Sequence, residues 1–435
     1  MERVSPLFEA VIRAFRLPDV RRKILFTFAM LAVFRVVAHV PLPGVNLGSL
    51  RQLLEQNQLL GMLDLFSGGS LTTFSIAALG VYPYITASIV MQVLAPVIPQ
   101  LQEMQKDGEA GRTRVAQYTR VLTVPLAMLQ AYAQATLLAR EGIISNFGLM
   151  SASTFLPTVS MILTLTAGTM FLVWLGEIIT EKGVGNGMSL LIFAGIIARL
   201  PGSIGQSFVS GTSFLGLIFL GVIGLGMVAA IIFINEGQRR IMVQYAKRIR
   251  GNRVFGGTTT YIPLKVNSSG MIPLIFAMSI MLIPGTIATY FTAAETEWVK
   301  STAQFIARVF SSTGVVYWVL YFWLVVAFTY FYTAVVFQQQ NLPETLQKQG
   351  GFIPGIRAGR PTADYLNRVV NRITLLGAIF LGVVAIAPYI AGVVTGIQVL
   401  TLSSTGILIV VGVVLDTMKQ LEAQLMMRRY EGFIK

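Results

Sequence analysis

The sequence predicts an all-α polytopic membrane protein with ten transmembrane helices, and three observations predict it. First, ten long apolar stretches follow one another at 24–40, 74–98, 118–139, 155–179, 188–200, 214–234, 271–292, 315–337, 373–394 and 400–417. At about 1.5 Å per helical residue most of these can cross a hydrocarbon layer of about 30 Å, and 188–200 reaches that length by starting near Gly183. Second, Lys and Arg fall on alternate connections. Of the 33 basic residues, only Arg51, Arg140, Arg199, Lys300 and Arg308 fall on the sparse side, and Arg35 lies inside the first span. Basic residues stay cytoplasmic, so both termini and the loops 99–117, 180–187, 235–270 and 338–372 are expected to face the cytoplasm. Third, 54% of the chain is hydrophobic, only 12% is charged, and the mean hydropathy is +0.70, which excludes a soluble domain hung on an anchor.

Taken in order, residues 1–23 read as a cytoplasmic N-terminal segment. Within it, Ser5 and Pro6 can open a short helix whose Leu7, Phe8, Val11, Ile12 and Phe15 share one face, with Arg13 and Arg16 off it. Such a helix lies on a membrane surface rather than crossing it. No cleavable signal peptide is evident, because this end is too basic and is interrupted by Pro18. Residues 24–200 hold five spans, 201–417 hold five more with the basic loops 235–270 and 338–372, and 418–435 read as a cytoplasmic tail.

The stretch 59–98 is apolar but broken at Ser67-Gly68-Gly69. Its first piece, 59–66, is too short to span. It is either a re-entrant half-helix inside a cavity or an ordinary outer loop with an apolar patch; irregular backbone at membrane depth needs protein or water around it. Span two then carries Gly80-Val81-Tyr82-Pro83-Tyr84-Ile85, and span seven opens on Gly270-Met271-Ile272-Pro273-Leu274-Ile275. The shared Gly-x-x-Pro-x-Ile stands at equivalent positions of two five-span halves. The halves start on opposite sides, so the repeat is inverted, and broken helices at matching positions point to a site between the halves.

Composition removes several chemistries. The chain has no Cys and a single His, His39, so thiol chemistry and a histidine-rich metal centre are excluded. No phosphate loop is present: Gly183, Gly185 and Gly187 are not followed by Lys-Ser/Thr. Within the spans the ionisable residues noted are Arg35 and Asp416, with Glu177 at a cytoplasmic end. Ion-coupled carriers keep such groups deep in the bundle, and a membrane enzyme needs a catalytic pair. The pattern therefore favours a passive conduit, with neither cofactor nor small-molecule substrate, over the competing reading of a secondary transporter with inverted repeats. A net charge of +14, almost all on one face, attracts anionic lipids, and equally RNA or an acidic protein.

An ordered set of motifs carries a resemblance. It comprises Phe34-Arg35, Pro41-Leu42-Pro43-Gly44, Phe66-Ser67-Gly68-Gly69, Ala78-Leu79-Gly80, Pro83-Tyr84-Ile85 and Gln117-Tyr118-Thr119-Arg120. It continues with Ile179-Thr180-Glu181, Gly185-Asn186-Gly187, Gln238-Arg239-Arg240, residues 350–357 (GGFIPGIR) and Tyr430-Glu431-Gly432-Phe433. From about residue 20 to the end the chain resembles the SecY family, the central subunit of bacterial protein-conducting channels. The loops 140–154, 200–213 and 293–314 are least alike.

The resemblance implies two inverted five-helix halves with a re-entrant plug helix at about 60–72, including Leu63, Phe66, Ser67, Gly68 and Gly69. It implies a pore ring of Val81, Ile85, Met188, Ile192, Ile275 and Ile409; the family prefers Ile at most of these places, so Val81 and Met188 depart from it. It implies a lateral gate with Thr86, Gln130 and Asn267, through which hydrophobic segments pass into lipid while polar ones cross the membrane. It implies that Arg239, Arg240, Lys247, Arg248, Arg250, Arg253, Arg357 and Arg360 meet the SecA ATPase or the ribosome, although Ala358-Gly359-Arg360 replaces the family's usual Pro-Gly-Glu. The partners so implied are SecE, SecG, SecA, the ribosome and signal-sequence-bearing preproteins. The implied place is the cell (plasma or inner) membrane, and the protein is expected not to be an enzyme.

Overall fold

Leu, Val, Ile and Ala dominate the apolar stretches, and a backbone removed from water must satisfy its own hydrogen bonds, so each stretch folds as a helix. The computed structural model describes residues 17–56, 58–148, 151–209, 214–245, 248–250, 253–255, 259–292, 296–311, 314–340, 342–357, 359–395 and 399–431. The expected helix at 5–17, apart from its last residue, lies outside them, as does Lys247. All ten expected spans are helical: α1 (Pro18–Val37), α4 (Tyr82–Leu94), α6 (Gly108–Arg140), α7 (Ala152–Lys182), α8 (Gly187–Val209), α9 (Phe214–Glu236), α10 (Ile272–Phe291), α12 (Val315–Gln340), α14 (Arg360–Thr395) and α15 (Val399–Glu431). Shorter helices join them: α2 (Leu47–Gln56), α3 (Gln58–Ser67), α5 (Pro99–Lys106), α11 (Glu297–Val309) and α13 (Leu342–Lys348). Among the described residues five helices are long and apolar enough to cross a membrane, and Tyr82–Leu94, Gly187–Arg199 and Gly221–Glu236 are shorter apolar helices. Phe28, Val121, Leu129, Leu156, Leu163, Trp323 and Leu376 are exposed on the outside of the bundle, which is where a polytopic protein meets lipid.

The repeated Gly-x-x-Pro-x-Ile is a repeat of backbone geometry. Gly80 and Gly270 have φ of 59° and 64°, a left-handed conformation open to glycine without strain. The N-cap residues Val81 and Met271 follow with φ,ψ of −92°,4° and −97°,−2°. Pro83 and Pro273 then occupy the second helical position, where a missing N–H costs nothing. Ile85 and Ile275 stand two residues further on. Span two is consequently shorter as a helix than its apolar composition suggests: it begins at Tyr82, and 76–80 form turns.

The two large basic loops are more ordered than loops. Strand β1 (Gln238–Tyr245) pairs antiparallel with β4 (Thr259–Lys265), and β5 (Gly351–Phe352) joins its other edge, in the order β4-β1-β5. A small hairpin, β2 (Arg248–Arg250) with β3 (Arg253–Phe255), lies between. Ile241, Val243, Leu264, Leu346, Ile353, Leu366, Val369 and Ile373 form one apolar cluster that anchors both loops to the base of α14.

Candidate functional site

The centre of the bundle is filled by side chains. Val81, Ile85, Ile192, Ile275 and Ile409 are all buried and belong to one continuous apolar cluster, built from α1, α4, α7, α8, α9, α10, α12, α14 and α15. Four helices thus bring the expected ring residues into the same core. Met188 packs against this cluster but is only partly buried. Its Sδ lies 2.7 Å from where a Cβ on Gly176 of α7 would stand, and it also lines a cleft with Tyr84, Arg120, Trp174 and Glu177. Arg120 and Glu177 form an ion pair of 2.5 Å across that cleft.

The stretch 59–66 forms a helix rather than a loop: it lies within α3, which packs against α8, α10 and α15. Leu63 bridges the central cluster and a second one on the sparse side. The end of α3 is held by polar contacts. Asp64, 0% exposed, accepts hydrogen bonds from Ser67 Oγ (3.2 Å), Leu71 N (2.9 Å) and Thr72 N (3.2 Å), and pairs with Arg199 of α8. A second cation reaches the same turn, since Arg35 Nη1 of α1 donates to the Gly68 carbonyl at 2.9 Å. Gly68 (φ 70°) and Gly195 of α8 meet backbone to backbone: a Cβ on Gly195 would lie 2.3 Å from Gly68 Cα. Gly69 follows with φ 85°, and the side chain of Phe66 lies outside the description. Asp64 and Arg199 were not singled out from the sequence. Their signal was a lone carboxylate in an apolar stretch and an arginine inside an apolar helix.

The expected gate residues are not bonded to one another. Thr86 Oγ1 donates to the Tyr82 carbonyl within α4 (3.1 Å), and Gln130 Oε1 is buried with no hydrogen-bond partner among the described residues. Asn267 Nδ2 donates to Asn235 Oδ1 of α9 (2.9 Å), so it belongs to a polar knot at the basic end, with Ser269 Oγ on its own Oδ1 (3.0 Å). The helices themselves do meet: α10 packs against both α4 and α6, and Tyr82 Oη donates to the Ser279 carbonyl at 3.0 Å.

On the basic face, Arg239 and Arg240 are exposed on β1. Arg248, Arg250 and Arg253 fall on the β2–β3 hairpin, with Arg250 opposite Arg253. Arg357 is exposed at the end of the 350–357 turn, and its carbonyl accepts Thr362 Oγ1 at 2.8 Å. Arg360 is exposed at the first position of α14.

Comparison with known proteins gives a consistent result. The family model described as SecY matches residues 75–418. A protein translocase subunit SecY from Streptomyces galbus is 45% identical over 444 residues, covering 99% of this chain and 100% of that protein. Among solved structures, a SecY channel described by its plug domain, which stabilises the closed state and maintains a membrane seal, aligns with a TM-score of 0.62 at 17% identity over 97% of both chains. Sec61 from the canine ribosome-channel complex of the endoplasmic reticulum aligns with a TM-score of 0.60 at 16% identity, again over 97% of both chains.

Proposed function

The chain belongs to the SecY family, and from that premise we propose how it works as a protein-conducting channel. It passes unfolded secretory polypeptides across the membrane through the apolar ring, and it releases hydrophobic segments sideways between α4/α6 and α10. The observation that carries this is the convergence of Val81, Ile85, Ile192, Ile275 and Ile409 in one buried cluster with α3 seated beside them. Aliphatic side chains at a constriction exclude ions by dewetting when closed and yield to a passing chain without offering it fixed hydrogen bonds. Met188, flexible and half-buried, can close around a moving chain from the α7 side. Residues 60–72 serve as the plug that closes the sparse, non-cytoplasmic side.

The chain supplies no chemistry of its own and works as a channel rather than an enzyme. The driving force comes from the SecA ATPase or the ribosome on the basic face, and SecE and SecG complete the channel. Anionic lipids of the plasma (inner) membrane meet the same basic face, which keeps both termini cytoplasmic. Segments are sorted by partition: Leu-rich segments leave into lipid, where each apolar residue gains a few tenths of a kcal/mol (about 0.3–0.6), and polar ones pass through.

Site-specific photo-crosslinking from position 275, with a secretory chain stalled midway, tests the pore assignment. Strong crosslinks are expected there, and none from position 163 on the exposed side of α7. A confirmed stall that crosslinks at neither position refutes it. A second expected result concerns Ile275→Asn. An unpaired amide in the ring costs about 1–3 kcal/mol of closed-state stability, so export of a reporter with a crippled signal should rise about tenfold. Unchanged export of that reporter counts against the ring.

A further inference from the structure

We propose that Arg199 and Arg35 form a two-point electrostatic latch that fastens the end of α3 in its seat, and that α8 links the latch to the apolar ring. The inference rests on the plug role proposed for this helix. Two cations approach one turn from two different spans: Arg199 of α8 pairs with Asp64, and Arg35 of α1 donates to the Gly68 carbonyl at 2.9 Å. Between them the Gly68 backbone lies directly on Gly195, and a Cβ on Gly68 would also meet Phe34 Cζ at 2.9 Å. The turn is therefore located by charge at both edges and by backbone contact in the middle.

Physical chemistry says what such a latch can do. A buried ion pair gains little net energy, because desolvation offsets most of the attraction, but removing one partner leaves a costly orphan charge. The pair therefore specifies position more than it adds stability. In the seat, each charge has its partner. Displaced into a watery funnel, each charge is rehydrated, so leaving costs little. The latch thus holds the helix in one register without locking it. The two ends differ, however. Asp64 is 0% exposed, whereas the Arg199 side chain keeps 33% of its surface in contact with solvent. An orphaned Asp64 must leave the seat to find water, while an orphaned Arg199 can snorkel from where it stands.

The sequence of α8 supplies the link to the ring. Ile192, Gly195 and Arg199 stand at i, i+3 and i+7, one face of a helix. Ring residue, seat and latch are carried on one rigid stripe, so a displacement of α8 that widens the ring also withdraws the glycine and the guanidinium from α3.

The test uses the assembled channel with its partner subunits in proteoliposomes, reading efflux of a trapped dye from the resting state. Arg199→Gln should raise the leak at least about tenfold, and Asp64→Asn, which keeps the acceptor for Leu71 N and Thr72 N, only about threefold. The decisive arm is the double variant Asp64→Asn with Arg199→Gln. Neither charge is then orphaned, and its leak should fall back to within about twofold of the parent. Deleting 60–72 separates the two levels of the claim. A deletion that does not leak overturns the plug role itself. A leaking deletion together with a tight Arg199→Gln overturns the latch alone, as does a double variant that leaks as much as Arg199→Gln. Should Arg199→Gln fail to assemble, recovery of assembly in the double variant supports the pairing, and failure of both overturns it.

Discussion

Arg357→Glu will abolish SecA-driven export while leaving the channel assembled. The second half of this expectation follows from packing. The 350–357 turn is fastened by Ile353, which is buried in the cluster with Ile241, Val243, Leu346 and Leu366, and by β5 on the edge of β1. Arg357 stands past these anchors with its side chain exposed and its carbonyl accepting a hydrogen bond from Thr362 Oγ1. Reversing its charge removes no buried contact, and surface changes of this kind alter stability by less than about 0.5 kcal/mol. The first half follows from electrostatics. A planar guanidinium matches a carboxylate or phosphate in a two-pronged contact that a Glu turns into repulsion. Losing one desolvated charge contact costs about 2–5 kcal/mol, so translocation should fall at least about thirtyfold. Arg360 strengthens the assignment. A cation at the first position of α14 is disfavoured by the helix dipole, and no acidic residue stands in that first turn, so helix stability does not explain it. Normal ATP-dependent translocation by Arg357→Glu in reconstituted vesicles would refute the docking role. Arg357→Lys should retain part of the activity, since it keeps the charge and loses the fork.

What could be read from the chain, and what could not, divides along physical lines. The ten spans were legible because hydrophobic length is a local property. The Gly-x-x-Pro-x-Ile repeat was legible because a left-handed glycine followed by a helix-opening proline leaves few alternatives, and both copies adopt the same backbone. The exact start of span two was not, because 74–80 are as apolar as the helix that follows and composition does not separate a buried turn from a helix. The ribbon in 235–270 escaped notice beneath its arginines. Its signal was the period-two burial of Ile241 and Val243 on β1, with Leu264 on the partner strand. The amphipathic α11, in a loop noted only as unlike the family, was not singled out: Trp298 and Phe305 on it remain exposed, so its apolar residues do not mark a core-facing stripe.

The seat of α3 was illegible in principle. Asp64 and Arg199 lie 135 positions apart, and no spacing rule connects two single charges at that distance. The positions of the expected gate residues show the same limit from the other direction. Thr86, Gln130 and Asn267 were chosen by their alignment with the family's polar gate residues, and alignment fixes a residue's place in the chain but not the direction of its hydrogen bond. Asn267 turns to Asn235 of α9, a partner in its own half of the chain.

Gly195→Val will open the resting channel by unseating α3, independently of any charge. A Cβ at this position would lie 2.3 Å from Gly68 Cα and 3.2 Å from Gly68 N. The obstructing atoms are backbone, so no rotamer change relieves the contact. The helix itself tolerates the change, because glycine is the poorer helix former and α8 is an apolar helix. Either α3 must move out or α8 must move away, and α8 is tied to α7, α15 and the ring through Ile192 and Ile196. The short helix, held to its seat through one turn, is the part that yields. Overpacking of this kind costs about 1–3 kcal/mol, which predicts a resting leak raised about fivefold or more and passage of preproteins with defective signals. Gly205→Ala is the control, since among the described residues nothing lies within 4 Å of the atom it adds. In a chain already lacking 60–72, Gly195→Val should add no further leak, because the three atoms nearest the added Cβ, all of the Gly68 backbone, are gone. A Gly195→Val channel as tight as the parent, with the deletion leaking, means that the seal does not depend on the meeting of these two glycines. An equal increment of leak with and without 60–72 means that the substitution acts on the ring directly, through Ile192 on the same face of α8.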